Sequence, residues 1–276
     1  MAIQSYGVTD AVPAGHDPDW LVAALEDLER VGFTLLADQV QGAQLADLRA
    51  ALDRLLAAQT QRFGGAPALE NIGEAGQARA LCNEDPLFWE LATLPRVNAV
   101  IERLLGPAAI VMQQNGVVMP ARAQGHQQQR WHRDLPYQSW VNSAPIAIGA
   151  LCALDAFSAQ SGGTAFLPAS HRFGAFPSEE FIRRWEHGIE APAGSVVLFD
   201  AMTFHRGGVN LGDAPRRAIN TLFGVPLLAQ QVALAAPPNA SDLILRRCGA
   251  LYQPADSADD YRARRLARTR KASNGN

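Results

Sequence analysis

The residues of this sequence that could perform chemistry are concentrated in two short segments, 129–138 (QRWHRDLPYQ) and 194–210 (GSVVLFDAMTFHRGGVN). In the first segment His132 and Asp134 are separated by one residue, so an extended strand projects both side chains from the same face. A helix would turn them apart, and Pro136 disfavours a long helix here. An imidazole and a carboxylate are two of the three ligands that hold non-haem Fe(II) with open positions. The pair therefore predicts a metal site that needs one more ligand.

His205 is the predicted third ligand. It follows the turn residue Gly194 and an apolar run, Ser195–Phe199, that predicts a buried strand. Two antiparallel strands can bring His205 opposite the pair in the first segment. The other histidines are weaker candidates for the third ligand. His171, in the turn LPASH, is the serious rival, and a hydrogen-bonding role is favoured for it. The rest lie in an N-terminal loop, in a polar run predicted to face solvent and after a charged helical patch: His16, His126 and His187.

Two consecutive arginines, Arg216 and Arg217, begin a predicted strand, and strand parity directs one of them inward. Burying an unpaired charge costs several kcal/mol, so an inward guanidinium implies an anionic partner. The planar guanidinium group can bind a carboxylate through two parallel hydrogen bonds. The alternative is that both arginines lie at the surface. Gln113 and Asn115 alternate with Val117 on an earlier predicted strand, and they face either the same cavity or solvent.

Short apolar runs separated by turn residues dominate the middle of the chain, which favours a jelly-roll sandwich or barrel. The predicted strands cover 109–119, 146–154, 164–167, 195–199 and 217–225. Helical periodicity precedes them from Asp17-Pro18 to Gly32, from Leu45 to Leu55 and over 95–105, with a strand at 33–37. Residues 60–90 lack periodicity and predict a long functional loop with short helical pieces. The fold class predicted is mainly β with flanking helices and a jelly-roll core.

Composition excludes several function classes. A formal net charge of -3 gives no general attraction to nucleic acid or anionic membranes, and the basic stretch within 259–276 is predicted to be a solvated, partly helical tail. The longest uncharged stretches, such as 141–154, are too short to cross a bilayer. The N-terminus lacks the pattern of a secretory signal. Three distant cysteines argue against a disulfide framework. We expect a cytoplasmic protein with reduced thiols.

Taken together, the motifs resemble the phytanoyl-CoA dioxygenase family. They are the H-x-D pair at 132–134, the segment SGGTAFLPASHRFG (161–174), the segment around His205, and an arginine eleven residues after it. The resemblance spans about residues 19–226 and is strongest over 129–220. Members of this family are Fe(II)- and 2-oxoglutarate-dependent oxygenases with a double-stranded β-helix core.

The resemblance implies roles for individual residues. His132, Asp134 and His205 match the metal ligands, and Arg216, rather than Arg217, matches the arginine that binds the distal carboxylate of 2-oxoglutarate. Further cosubstrate contacts are expected at Gln113, Asn115, Leu151 and Thr164. Candidate substrate contacts are Gln127, Arg133, Tyr137 and Trp140. The sequence departs from the family pattern with Ala169 in place of a glycine, Leu151 where some members have tryptophan, and Gly207 and Gly208 where some offer a serine.

The implied reaction is hydroxylation of an unactivated C–H bond of a small-molecule metabolite by O2, with decarboxylation of 2-oxoglutarate to succinate and CO2. Asp134 favours this over halogenation, because related halogenases have a small residue there. Desaturation or cyclisation of a natural-product intermediate is an alternative outcome of the same oxidation. A non-catalytic or hydrolytic cupin-type metal protein is a further alternative, against which Arg216 counts. The family name does not specify the substrate.

The predicted organisation is a single oxygenase domain over 1–276. It consists of a helical part and loop (1–107), a jelly-roll core (108–226) and a C-terminal extension with a basic tail (227–276).

Overall fold

Two antiparallel β-sheets and a layer of helices make up the fold. The computed structural model describes residues 18–122, 125–135 and 141–273. The helices are α1 (Asp19–Arg30), α2 (Gly42–Arg62), α3 (Ala66–Asn71), α4 (Leu81–Glu84), α5 (Leu87–Ala92), α6 (Pro95–Leu105), α7 (Glu179–Trp185), α8 (Asp242–Arg247) and α9 (Ala258–Ser273). The strands are β1 (Phe33–Leu36), β2 (Gln77–Ala78), β3 (Ile110–Met119), β4 (Ala147–Ala153), β5 (Thr164–Phe166), β6 (His187–Gly188), β7 (Val196–Asp200), β8 (His205–Gly207) and β9 (Arg216–Gly224).

The larger sheet has the strand order β1-β7-β4-β9-β3-β2, and the smaller sheet has the order β6-β5-β8. The strands of both sheets pair antiparallel, and most neighbouring strands are not consecutive in the chain, as in a jelly roll. This arrangement confirms the predicted fold class. The division of the chain at residues 107 and 226 stays a prediction.

Strand parity separates two cores on the faces of the larger sheet. Ile148, Ala150 and Cys152 on β4 pack with the helices, whereas Leu151 and Ala153 pack toward the smaller sheet. Gly149 lies on the same face of β4 as Leu151 and Ala153, and a Cβ atom there would come within 2.2 Å of the Phe199 ring. This face of the larger sheet is directed toward the smaller sheet, so a cavity between the two sheets is lined by its residues.

Predicted helices and strands agree with the structure wherever the periodic pattern is long. Helix α1 ends at Arg30, two residues before the expected Gly32, whose φ of 91° is readily adopted only by glycine and whose N–H donates to the Asp27 carbonyl. Strands β2, β6 and β8 were not predicted, because two or three residues cannot show a period of two. Strand β2 lies inside the predicted loop 60–90, where Gln77 pairs with Val117 of β3.

The remaining sequence predictions concern the cysteines and the membrane. Cys82, Cys152 and Cys248 are free and buried, and burial raises the pKa of the Cys82 and Cys152 thiols. Within the described ranges, no helix has the length and apolar character needed to cross a bilayer.

Candidate active site

His132 and His205 face each other across a two-residue antiparallel bridge. Each backbone N–H donates to the other residue's carbonyl over 3.0 Å, and the ring centroids are 4.3 Å apart. Asp134 is held by its own N–H, which donates to the Ala201 carbonyl over 3.0 Å. The three side chains each offer a ligand atom, and these atoms lie within 4.8 Å of one another. The structure thus brings together the three residues predicted to hold a metal.

Hydrogen bonds select the tautomer of both imidazoles. His132 Nδ1 lies 2.8 Å from the Arg130 carbonyl, and His205 Nδ1 lies 3.0 Å from the Thr203 carbonyl. Because a carbonyl only accepts, each Nδ1 carries a hydrogen, and each Nε2 is the ring nitrogen left available to a metal. Burial, and the nearby His205, lower the pKa of His132. A neutral imidazole with a free Nε2 is the form that binds metals.

Asp134 is an ionised carboxylate held in a buried position. Its Oδ1 lies 3.6 Å from His205 Nε2, and its Oδ2 accepts from Asn220 Nδ2 over 2.9 Å. Burial by itself raises the pKa of this carboxyl, but the two histidines and Asn220 outweigh it and hold the pKa below its usual range. One carboxylate oxygen is therefore oriented by Asn220 and the other faces the histidines.

Arg216 is the inward member of the arginine pair. Its side chain lies in the same cavity as the three candidate ligands, with the guanidinium 4.8 Å from the centre of the Phe157 ring. Its buried Nε has no hydrogen-bond partner. Burial lowers the pKa of Arg216 to about 10, so the group remains charged at neutral pH. Arg217 points the other way and forms ion pairs with Asp53 and Asp155.

A cavity of about 260 Å³ contains the site. Predicted cosubstrate residues Gln113, Asn115, Leu151 and Thr164 all line it. Gln127 does not, and its neighbour Gln128 lines the cavity instead. Tyr137 and Trp140 lie outside the described residues. The cavity also contains residues that sequence reasoning missed: Gln77, Arg79, Val117, Phe199, Ala218, Asn220 and Gln231.

Strand parity could have revealed Ala218 and Asn220, because both lie on the face of β9 that carries Arg216. Gln77 and Arg79 gave no such signal, since β2 is too short to show a pattern. Their place follows only from the pairing of β2 with β3.

Arg133 borders the cavity, but its guanidinium is used elsewhere. Nε donates to the Met202 carbonyl over 2.8 Å, and Nη2 donates to the Ser170 and Phe173 carbonyls over 3.2 and 2.5 Å. The guanidinium also lies 4.0 Å from the centre of the Phe204 ring. These contacts fasten the loops beside the site, and none of them presents the guanidinium to a substrate.

Of the other histidines, His171 and His126 contact the backbone, whereas His16 lies outside the described residues. His171 Nε2 lies 3.1 Å from the Glu29 carbonyl, in agreement with the predicted hydrogen-bonding role. The prediction that His126 faces solvent is wrong, because its ring is half-buried between the Ala75 carbonyl and the Gln128 N–H. Across 18–122, 125–135 and 141–273, no second group of three or more potential metal-binding side chains is found.

Several known proteins are similar to this chain in sequence or in fold. The family model for phytanoyl-CoA dioxygenase (PhyH) matches residues 28–218. An uncharacterised protein of Mycobacterium tuberculosis is 30% identical over 212 residues, which cover 74% of this chain and 76% of that protein. The ectoine dioxygenase of Halomonas elongata is 28% identical over 242 residues, 75% of this chain and 71% of the relative.

A solved structure gives the same picture of the fold. The epimerase SnoN, in complex with Fe3+, alpha ketoglutarate and nogalamycin RO, superposes with a TM-score of 0.62 at 20% identity. The match covers 82% of this chain and 93% of SnoN. The likeness at this identity supports the fold alone.

Proposed function

The chain belongs to the phytanoyl-CoA dioxygenase family, the 2-oxoglutarate-dependent non-haem iron oxygenases that its motifs resemble, and we propose that it hydroxylates an unactivated C–H bond of a small-molecule metabolite. His132, Asp134 and His205 are the proposed iron ligands, and Arg216 is the proposed anchor of 2-oxoglutarate. The observation that carries the proposal is that one cavity holds both the three ligand atoms and a buried arginine.

The residues present fit iron and 2-oxoglutarate. Two imidazoles that present their Nε2 atoms and one ionised carboxylate make up the donor set that suits Fe(II). Arg216 has a buried Nε without a hydrogen-bond partner, and a carboxylate is the group that would satisfy it. When bound, iron supplies the activation of O2 that protein side chains cannot perform.

Residues of this chain orient the proposed metal ligands and keep water away from the reacting atoms. The carbonyls of Arg130 and Thr203 fix the two imidazole rings, and Asn220 fixes the Asp134 carboxylate. Such outer contacts set the direction from which ligands reach a metal. An apolar wall that keeps water from the reacting atoms is formed by Val117, Leu151, Phe199 and Ala218.

Two features favour hydroxylation over halogenation and over hydrolysis or simple metal binding. Asp134 supplies a carboxylate ligand, which occupies the position that a halide would need. Arg216 is buried toward the cavity, and this counts against a hydrolytic or purely metal-binding cupin, which has no use for a dicarboxylate anchor. Small-molecule substrates are supported by the size of the cavity.

Anaerobic addition of Fe(II) and 2-oxoglutarate tests the assignment. We expect a weak visible charge-transfer band from wild-type protein and succinate formation once O2 is admitted, and loss of both in Asp134→Ala. Asp213→Ala, which removes an exposed carboxylate, is the matched control and should behave as wild type. If wild-type protein gave no band, or if Asp134→Ala formed succinate at the wild-type rate, the assignment would be wrong.

A further inference from the structure

We propose that the substrate is a neutral amphipathic molecule whose polar end enters the catalytic cavity and whose apolar part lies in an adjoining surface groove. We call this the outer groove, and its apolar residues are Phe63, Leu69, Ile72 and Val232. The inference deepens the proposed function, on which it rests.

The outer groove exposes large apolar side chains together. Phe63, Ile72 and Val232 are 53%, 57% and 46% exposed, and the groove has a volume of about 590 Å³. Single exposed apolar side chains are common on protein surfaces, but a contiguous patch marks a binding site. Two of the three side chains belong to the segment 60–90, the long loop for which a functional role is predicted.

The outer groove adjoins the catalytic cavity. Gln77, Arg79 and Gln231 line both, so these three residues form the junction that an extended molecule would cross. The catalytic cavity of about 260 Å³ must also hold 2-oxoglutarate under the proposed function. The larger part of an extended substrate would therefore lie in the outer groove, and this shared junction points to the substrate itself as the occupant of the groove.

The charges at the junction favour a neutral polar end. Arg79 donates through Nε to Glu74 over 2.6 Å and through Nη2 to the other Glu74 oxygen. With its amide oxygen turned toward Arg79, Asn115 accepts from Nη1 over 2.9 Å. Arg79 and Glu74 thus neutralise each other, and an anionic group would have to break a two-bond ion pair. A carboxylate-bearing substrate would also compete with 2-oxoglutarate for Arg216.

The hydrogen-bonding groups beside the junction are mainly side-chain amides. Gln77, Gln113, Asn115 and Gln128 line the catalytic cavity. Amides both donate and accept, which matches hydroxyl, carbonyl or amide groups of a substrate. The combination of an amide-lined interior and an apolar exterior defines the substrate class.

A homologous series of neutral probes tests the groove. We would measure the affinities of 1,2-butanediol, 1,2-hexanediol and 1,2-octanediol for the full chain by displacement of the neutral dye Nile red. Binding should tighten about two- to fourfold for each added methylene, because each buries apolar surface. The double variant Phe63→Ser with Ile72→Ser should remove this dependence. Val22→Ser, at an exposed site on α1, is the matched control and should keep it.

Three results would overturn the inference. The first is an affinity independent of chain length in wild-type protein, and the second is octanoate binding as tightly as 1,2-octanediol. The third is a dimer, seen by sedimentation, that Ile72→Ser dissociates, which would make the groove an interface between copies. Anaerobic Fe(II) and 2-oxoglutarate spectra of the same samples separate the two proposals. A retained band without chain-length dependence refutes only the substrate class, whereas a missing band in wild-type protein refutes the proposed function.

Discussion

Replacing Arg216 by methionine should have opposite effects on protein stability and on cosubstrate binding. The guanidinium is almost fully buried, and burial lowers its pKa from the ordinary value of a free guanidinium to about 10. That difference corresponds to about 3 kcal/mol of cost for holding the charge in the protein without its anion. The contact with the Phe157 ring returns about 1 kcal/mol. Arg216→Met should therefore stabilise the metal-free protein by about 2 kcal/mol.

Cosubstrate binding should change in the other direction. A guanidinium that binds a carboxylate through two charge-assisted hydrogen bonds contributes about 3–4 kcal/mol. Arg216→Met should thus weaken 2-oxoglutarate binding by about 10²- to 10³-fold. Stability is measured by urea unfolding of the metal-free protein, and binding by anaerobic titration of the Fe(II) form with 2-oxoglutarate.

Arg217→Met is the matched control for this experiment. Its guanidinium bonds to Asp53 and Asp155 at distances of 2.8 and 3.0 Å on the opposite face of the strand. This variant should lose about 1 kcal/mol of stability and keep its affinity for 2-oxoglutarate. If Arg216→Met were destabilised and bound 2-oxoglutarate as wild type does, Arg216 would be a structural charge and the reasoning would fail.

Two further predictions concern groups beside the site. Asn220→Ala should weaken Fe(II) binding about 10- to 100-fold, because it removes the hydrogen bond that orients Asp134, and unchanged affinity in a metal titration would contradict this. Burial raises the pKa of Asp200 to about 6, above the ordinary value of about 3.9, so its stabilising contribution is complete below about pH 4 and is lost as the pH rises through 6. Asp200→Asn should therefore be more stable than wild type by about 3 kcal/mol at pH 8 and by only about 0.5 kcal/mol at pH 4 in urea unfolding, and an equal difference at both values would show that the carboxyl does not titrate in this range.

The local sequence pattern predicts much of the secondary structure. Helix α6 has the predicted limits, and β3, β4, β7 and β9 differ from the predicted strands by one or two residues. The segment 60–90 contains α3, α4, β2 and the start of α5, which agrees with a loop carrying short helical pieces. Each of these is too short for periodicity to define it.

Strand parity and the family resemblance predict some of the residues around the cavity but not others. Gln113, Asn115, Leu151 and Thr164 line the cavity as the sequence analysis expected, and their contacts with 2-oxoglutarate remain proposals. Arg133 was grouped with the substrate contacts, yet its guanidinium is bound to backbone carbonyls. The sequence around Arg133 does not indicate which distant carbonyls its guanidinium will bind.

By itself, the sequence determined that His132 and Asp134 share a face and that only one of Arg216 and Arg217 can point inward, because alternation along a strand is a local property. The tertiary structure decided the rest. Only pairing between distant strands places His205 opposite His132, Asn220 against Asp134, and Gln77 and Arg79 at the junction with the outer groove. Those contacts join residues tens of positions apart, and the register that creates them is set by the packing of the two sheets and the helical layer.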